Sequence, residues 1–207
     1  MELIRYLDQS FFTREQLLER TGIAASDLER LQQQRMMPQP SYRLRLDLAC
    51  DSFFGAHREQ SAQDFYAKGS PAWIAVVGTL ACEAAARRVF GERYRSRLAQ
   101  LAASGIVAPA TLSGDEHINA EWGRFLAGTY GVCTVSGLPE DIAAKEAAIV
   151  LIQQATAAER ALTGADREGL RDAVNLLDSV SAPFARHEVA RSSRRRYVDE
   201  VRAGYGL

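Results

Sequence analysis

Lysine is nearly absent from this chain: Lys68 and Lys145 are the only two among 25 basic residues in a total of 207. An arginine skew of this kind is a compositional mark of a GC-rich genome rather than of a function. Cysteine is scarce too. Cys50, Cys82 and Cys133 are odd in number and far apart, which excludes a disulfide framework and a zinc knuckle. No charge of one sign dominates; a formal net charge of −1 gives no field that gathers nucleic acid or anionic lipid. The longest apolar run is broken by glycine and by Glu83, so no membrane span is expected. The opening Met-Glu-Leu-Ile lacks the basic, apolar, then small-residue order of a secretion signal, and a reducing cytoplasm is the expected compartment. A glycine-rich phosphate loop and a dinucleotide fingerprint are also missing.

An apolar fraction of 47% is present and is enough for a real core. The first residues, Glu2 to Gln9, predict a short helix burying Leu3, Ile4 and Leu7. Thr13 with Gln16 three residues later forms a capping box for a second helix, which Gly22 stops. A third helix starts near Ser26, turns Leu28 and Leu31 inward, and ends at Pro38 and Pro40. Tyr42, Leu44, Leu46, Leu48 and Cys50 then alternate with Arg43, Arg45 and Asp47, a period of two that predicts a strand. From about residue 58 onward the pattern reads as helical throughout. Ser70-Pro71 opens a helix to about Phe90, Gly91 interrupts it, and Glu92 to Ser104 continue. After a loop at 105–114, further helices are expected at 115–127, from Pro139 to about Leu162, at 166–180 and at 184–203. The run IAAKEAAIVLI lacks a polar face, which suits the middle of a bundle.

The stretch TGIAASDLERLQQQRMMP carries Thr21, Gly22, Ile23, Leu28, Met36, Met37 and Pro38 at scaffold positions, with Tyr42-Arg43 following. In these residues the segment 13–43 resembles the N-terminal winged helix-turn-helix of the MerR family of transcription regulators. The resemblance implies DNA contact through Arg14, Ser26, Arg30, Arg43 and Arg45. Where the family has an arginine and a first tyrosine near DNA, however, this chain has Glu29 and Arg30, and the family's second tyrosine is Leu31 here. A carboxylate facing phosphate is repelled. Within residues 1–46 seven arginines oppose six acids, a margin too small for a DNA reader.

A second stretch, EWGRFLAGTYGVCT at 121–134, combines an apolar helical stripe with glycines on both sides of Tyr130. Together with the upstream P-Q-P-S-Y-R and the downstream L-P-E-D-I-A-A-K-E, it resembles an uncharacterised bacterial family labelled as natural-product biosynthesis proteins. Trp73, Trp122, Tyr130 and Cys133 read either as core or as the walls of a ligand pocket. His117 and Glu121 stand four apart on a helix, a spacing that can chelate metal, although acids there also suit a helix N-terminus. His57 has Asp51 and Glu59 nearby but no nucleophile at a recognisable spacing. Arginines 186, 191, 194, 195, 196 and 202 form the one basic cluster, a solvated face or an anion-binding one.

The expected architecture is mainly all-α: a small winged helix-turn-helix-like module at 1–50 packed on an α-helical bundle domain at 51–207. The expected function is that of a non-catalytic accessory or regulatory protein acting through protein contacts or self-association, with no cofactor and no metal. A DNA-binding regulator with a helical ligand-sensing domain is the first alternative, and an enzyme using His57 or His117 the second.

Overall fold

The computed structural model describes residues 2–157 and 163–207. Its N-terminal part runs α1 (Glu2–Ser10), β1 (Phe11–Thr13), α2 (Arg14–Thr21), α3 (Ala25–Gln33), β2 (Tyr42–Ser52) and β3 (Gly55–Ala67). The capping box forms: Gln16 N donates to Thr13 Oγ1 at 3.3 Å and Thr13 N donates to Gln16 Oε1 at 3.1 Å. Gly22 closes α2 in the left-handed region at φ 68°, donating its N–H to Leu18 O at 2.8 Å. Leu17, Leu28 and Leu31 are buried between the two helices and the rest of the core.

The all-α expectation fails in this part. The strands form an antiparallel sheet in the order β1-β3-β2, so the fold is mainly helical with a three-stranded sheet. Residues 58–67, read as the start of the helical region, lie in β3. Phe53-Phe54 make a two-residue turn, and the ladder runs from Ser52↔Gly55 down to Tyr42↔Phe65. β3 shows no strand signature in the sequence because most of it touches no core. From Gly55 to Ala62 both faces are exposed, and only Phe65 and Tyr66 are buried. The boundary expected at 50/51 falls inside β2, which continues to Ser52.

The remainder is helical: α4 (Ser70–Val77), α5 (Glu83–Ala103), α6 (Asp115–Leu126), α7 (Thr129–Cys133), α8 (Pro139–Thr156), α9 (Gly164–Val180) and α10 (Glu200–Tyr205). α8 packs on both α5 and α9. Its alanines 143, 144, 147 and 148 are fully buried, and their small size lets the neighbouring helices approach closely. The helix expected over 70–90 ends instead at Val77, with a new one starting at Glu83. Gly91 does not interrupt α5; a Cβ there would stand 3.3 Å from Ile118 Cγ2, so it marks a close helix crossing. In place of one helix over 184–203 there are a 3-10 turn at Val189–Arg191, a π turn at Arg195–Asp199 and the short α10. The expected end of α8 near Leu162 lies outside the described residues. No helix among the described residues is long and apolar enough to cross a membrane.

The glycines flanking Tyr130 lock the N-terminal part onto the helical part. Gly128 sits at φ +80°, and a Cβ on it would lie 2.6 Å from Gln39 O. At Gly131 a Cβ would collide with Ser41 Oγ. Across the same seam Gln39 N donates to Leu126 O at 2.8 Å.

Candidate functional site

The proposed DNA-facing arginines are mostly engaged within the molecule. Arg14 pairs with Glu29, which points outward rather than into the core. Arg30 pairs with Asp27 at 3.0 Å and also donates to Gln34. Arg43 donates to Gln39 Oε1 at 3.0 Å and lies 3.8 Å from Asp64. Ser26 is exposed at the start of α3, and Arg45 is exposed on β2, away from that helix in sequence and in element. Of the four arginines, three thus have a carboxylate or amide partner within the molecule.

Trp73, Trp122 and Tyr130 lie in the core rather than around a ligand pocket. All three are buried, and both indole N–H groups are satisfied: Trp73 Nε1 donates to Met36 O at 2.8 Å, Trp122 Nε1 to Glu83 Oε1 at 3.2 Å. Phe90 and Phe125 complete the cluster, with ring centroids 4.9 Å apart for Trp73–Phe125 and 5.4 Å for Phe90–Trp122. The cavity beside Trp73, lined also by Ser41, Gly128 and Gly131, holds about 20 Å³, room for roughly one water. Cys133 donates to Thr129 O at 3.5 Å, and burial pushes its thiol pKa up, away from thiolate chemistry.

A buried polar group lies between α5, α6 and α8. The Tyr94 hydroxyl and His117 Nε2 are 3.0 Å apart, and His117 Nε2 is 3.9 Å from Glu121 Oε1. Glu121 is fully buried and paired with Arg124, while its second carboxylate oxygen has no hydrogen-bond partner. Burial, then the charge of Glu146, pushes the Glu121 carboxyl up to about 7. Desolvation holds the His117 imidazole below its ordinary value. Lys145, also buried, pairs with Glu146 at 3.1 Å. No set of three His, Cys, Asp or Glu among the described residues could hold a metal ion. His57 lies elsewhere, exposed on β3 and 3.5 Å from Glu59. His187 is exposed beside Glu188.

The basic cluster near the C-terminus is also largely paired. Arg194 and Arg202 both grip Asp178, the latter at 2.8 Å. Arg186 reaches Glu2 at 3.2 Å and Arg195 reaches Glu200 at 3.5 Å. Arg196 covers the Tyr197 ring at 5.0 Å.

What stands apart is the β2–β3 hairpin. From Asp47 outward and back to Ala62 every residue is exposed, so this part projects from the body as an arm about 20 Å long, six residues at roughly 3.3 Å each. At its tip Phe53 and Phe54 are 97% and 96% exposed, edge to face with ring centroids 5.4 Å apart. Leu48, 40% exposed, continues the apolar row along one face. Among the described residues the outer edge of β2 pairs with no other strand. The foot of the arm is held firmly: Tyr42 packs against Phe11 at 5.0 Å and Tyr6 at 6.3 Å, and its hydroxyl donates to Glu188 Oε2 at 2.6 Å. Sequence reading passed over this arm. The available signal was Ser52-Phe53-Phe54-Gly55, a compact turn with two aromatics at the end of a period-two strand.

No curated protein and no solved structure matches the chain. Residues 86–206 match a family of unknown function, DUF6058, over a stretch that begins inside α5 and leaves the helix-turn-helix and the arm outside it. Because that match covers more than half of the sequence, the chain belongs to this family.

Proposed function

We propose that the chain is a non-catalytic accessory or regulatory protein that works through protein contacts, with the β2–β3 arm as its contact element. The observation that carries this reading is the pair Phe53 and Phe54, almost fully exposed at the end of a well-anchored hairpin. Exposed apolar groups of this size are tolerated on a stable chain when a partner covers them. DNA is the weaker candidate, because Arg14 and Arg30 of the helix-turn-helix are neutralised by Glu29 and Asp27 and phosphate contact needs free cations. Lipid is weaker as well: over 47–60 Arg58 stands against Asp47, Asp51 and Glu59, an acidic surface that anionic headgroups repel. A place in bacterial natural-product biosynthesis is supported by the resemblance around residues 121–134 alone.

The test is site-specific photocrosslinking from position 53 in cells. Adducts with protein, lost when the crosslinker sits instead at exposed Glu19 on α2, support the proposal. Absence of protein adducts at position 53 would sink it. Retardation of duplex DNA at physiological salt would move the reading to a transcription regulator.

A further inference from the structure

We infer that the partner of the arm is a second copy of this chain, joined to it by antiparallel pairing of the two β2 edges about Leu46. This inference rests on the proposed contact role of the arm and names its occupant.

The argument begins with the free edge. β2 is an outer strand of the sheet, so its outward N–H and C=O groups form a ready template for another strand. A two-fold axis at Leu46 sets residues whose numbers sum to 92 opposite each other, as an isologous interface requires. Leu44 then faces Leu48, Leu46 faces its own counterpart, and Arg45 faces Asp47 twice, once on each side of the axis. All the leucines fall on one face and both ion pairs on the other, because opposite residues in an antiparallel pair share a face. Neither Arg45 nor Asp47 has an ion pair within the chain among the described residues, in contrast to Arg14 of α2 and Arg30 of α3. The neighbouring registers are worse: centring on Arg45 or on Asp47 brings like charges face to face.

The same register has a second consequence. Phe53 and Phe54 of one copy arrive opposite residues 39 and 38 of the other, at the foot of its arm. Beside that foot lies an open concavity of about 560 Å³ lined by Leu3, Tyr6, Phe184 and Val189 together with His187 and the Glu2–Arg186 ion pair. Its position is fixed by Tyr42, which packs on Tyr6 and bonds to Glu188 between His187 and Val189. Val189, 38% exposed, is one of the few large apolar side chains open to solvent. Each tip thus meets the Leu3, Tyr6, Phe184 and Val189 side of this hollow on the other copy, and the two contacts are related by the same axis.

The register predicts a charge-swap result that no other partner gives. Purified full-length protein should sediment as a dimer at micromolar concentration. R45D alone and D47R alone should each weaken dimerisation at least tenfold, since each places two like-charge pairs at the seam. An equimolar mixture of R45D and D47R should recover the dimer mass, because the heterodimer restores both pairs, one as in the wild type and one with its charges exchanged. F53S/F54S should also weaken it at least tenfold. A monomeric wild type at 100 µM would overturn the inference, and so would a wild-type dimer that the single charge variants leave intact or the mixture fails to restore. If the wild type is monomeric but position 53 still crosslinks to a different protein, self-pairing is wrong and the contact role stands. If the wild type is monomeric and binds anionic vesicles through the tip, both are wrong.

Discussion

The outer half of the arm and the middle of α8 use the same kinds of side chain in opposite ways. In α8, Ile142 and four alanines are sealed from solvent, and the charged pair Lys145–Glu146 is closed on itself at 3.1 Å. On the arm, Leu48, Phe53 and Phe54 face solvent, and Arg45 and Asp47 have no ion-pair partner among the described residues. Apolar content therefore does not separate the two; completeness does. The interior around α8 is closed by this chain alone, whereas the arm is left open to solvent, which is what the proposed contact role requires.

Mutations at the two places should differ accordingly. The largest effect is expected in the interior: Phe90→Ala, at the centre of the aromatic cluster, should cost about 3–5 kcal/mol in urea denaturation. Next comes Glu121. Its folded pKa of about 7 lies above the ordinary carboxylate value, so folding favours the protonated form. The resulting stabilisation is complete below about pH 4 and is lost as pH rises through 7. Glu121→Gln should flatten this profile and leave the protein more stable than wild type by about 2–3 kcal/mol at pH 8, read from melts across pH. Gly131→Ala must displace Ser41 and should cost about 1–3 kcal/mol, weakening the seam between sheet and helices. Removing the α2 cap with Thr13→Ala should cost about 1 kcal/mol. At the bottom of the scale, F53S/F54S should change the unfolding free energy of the monomer by no more than about 0.5 kcal/mol. A cost at the tip comparable to that of Phe90→Ala would erase the contrast, because it would mean that the arm belongs to the interior after all.

The parts that were legible in the sequence are those with local physical punctuation. Thr13 with Gln16, Gly22, Ser70-Pro71 and Pro139 each mark a boundary through backbone chemistry that needs no tertiary context, and the structure has boundaries at or next to them, whereas α3 ends at Gln33, five residues before the Pro38 expected to stop it. The alternation from Tyr42 also gave β2 its start. β3 was illegible because its order comes from the ladder with β2, and the polar run Arg58–Gln63 has no buried face to create a period. Gly91 misled for a related reason: its role is set by Ile118 on another helix, which sequence spacing does not reveal. The candidate site divides in the same way. Trp73, Trp122 and Tyr130 were visible as a group, but whether they line a hollow or fill one depends on Phe90 and Phe125 arriving from α5 and α6. The tip pair was readable as a turn, yet only its measured exposure gives it meaning.

The clamp of Glu188 on Tyr42 has a mechanical implication. From this fulcrum to Ser52 strand β2 takes ten steps, roughly 33 Å at about 3.3 Å each, its outer part of roughly 20 Å being the free arm, so tilting the whole strand by about 10° would sweep the aromatic end through roughly 6 Å. A carboxylate near the far terminus of the chain thus acts as a tiller: whatever loosens its grip steers the direction in which the tip reaches.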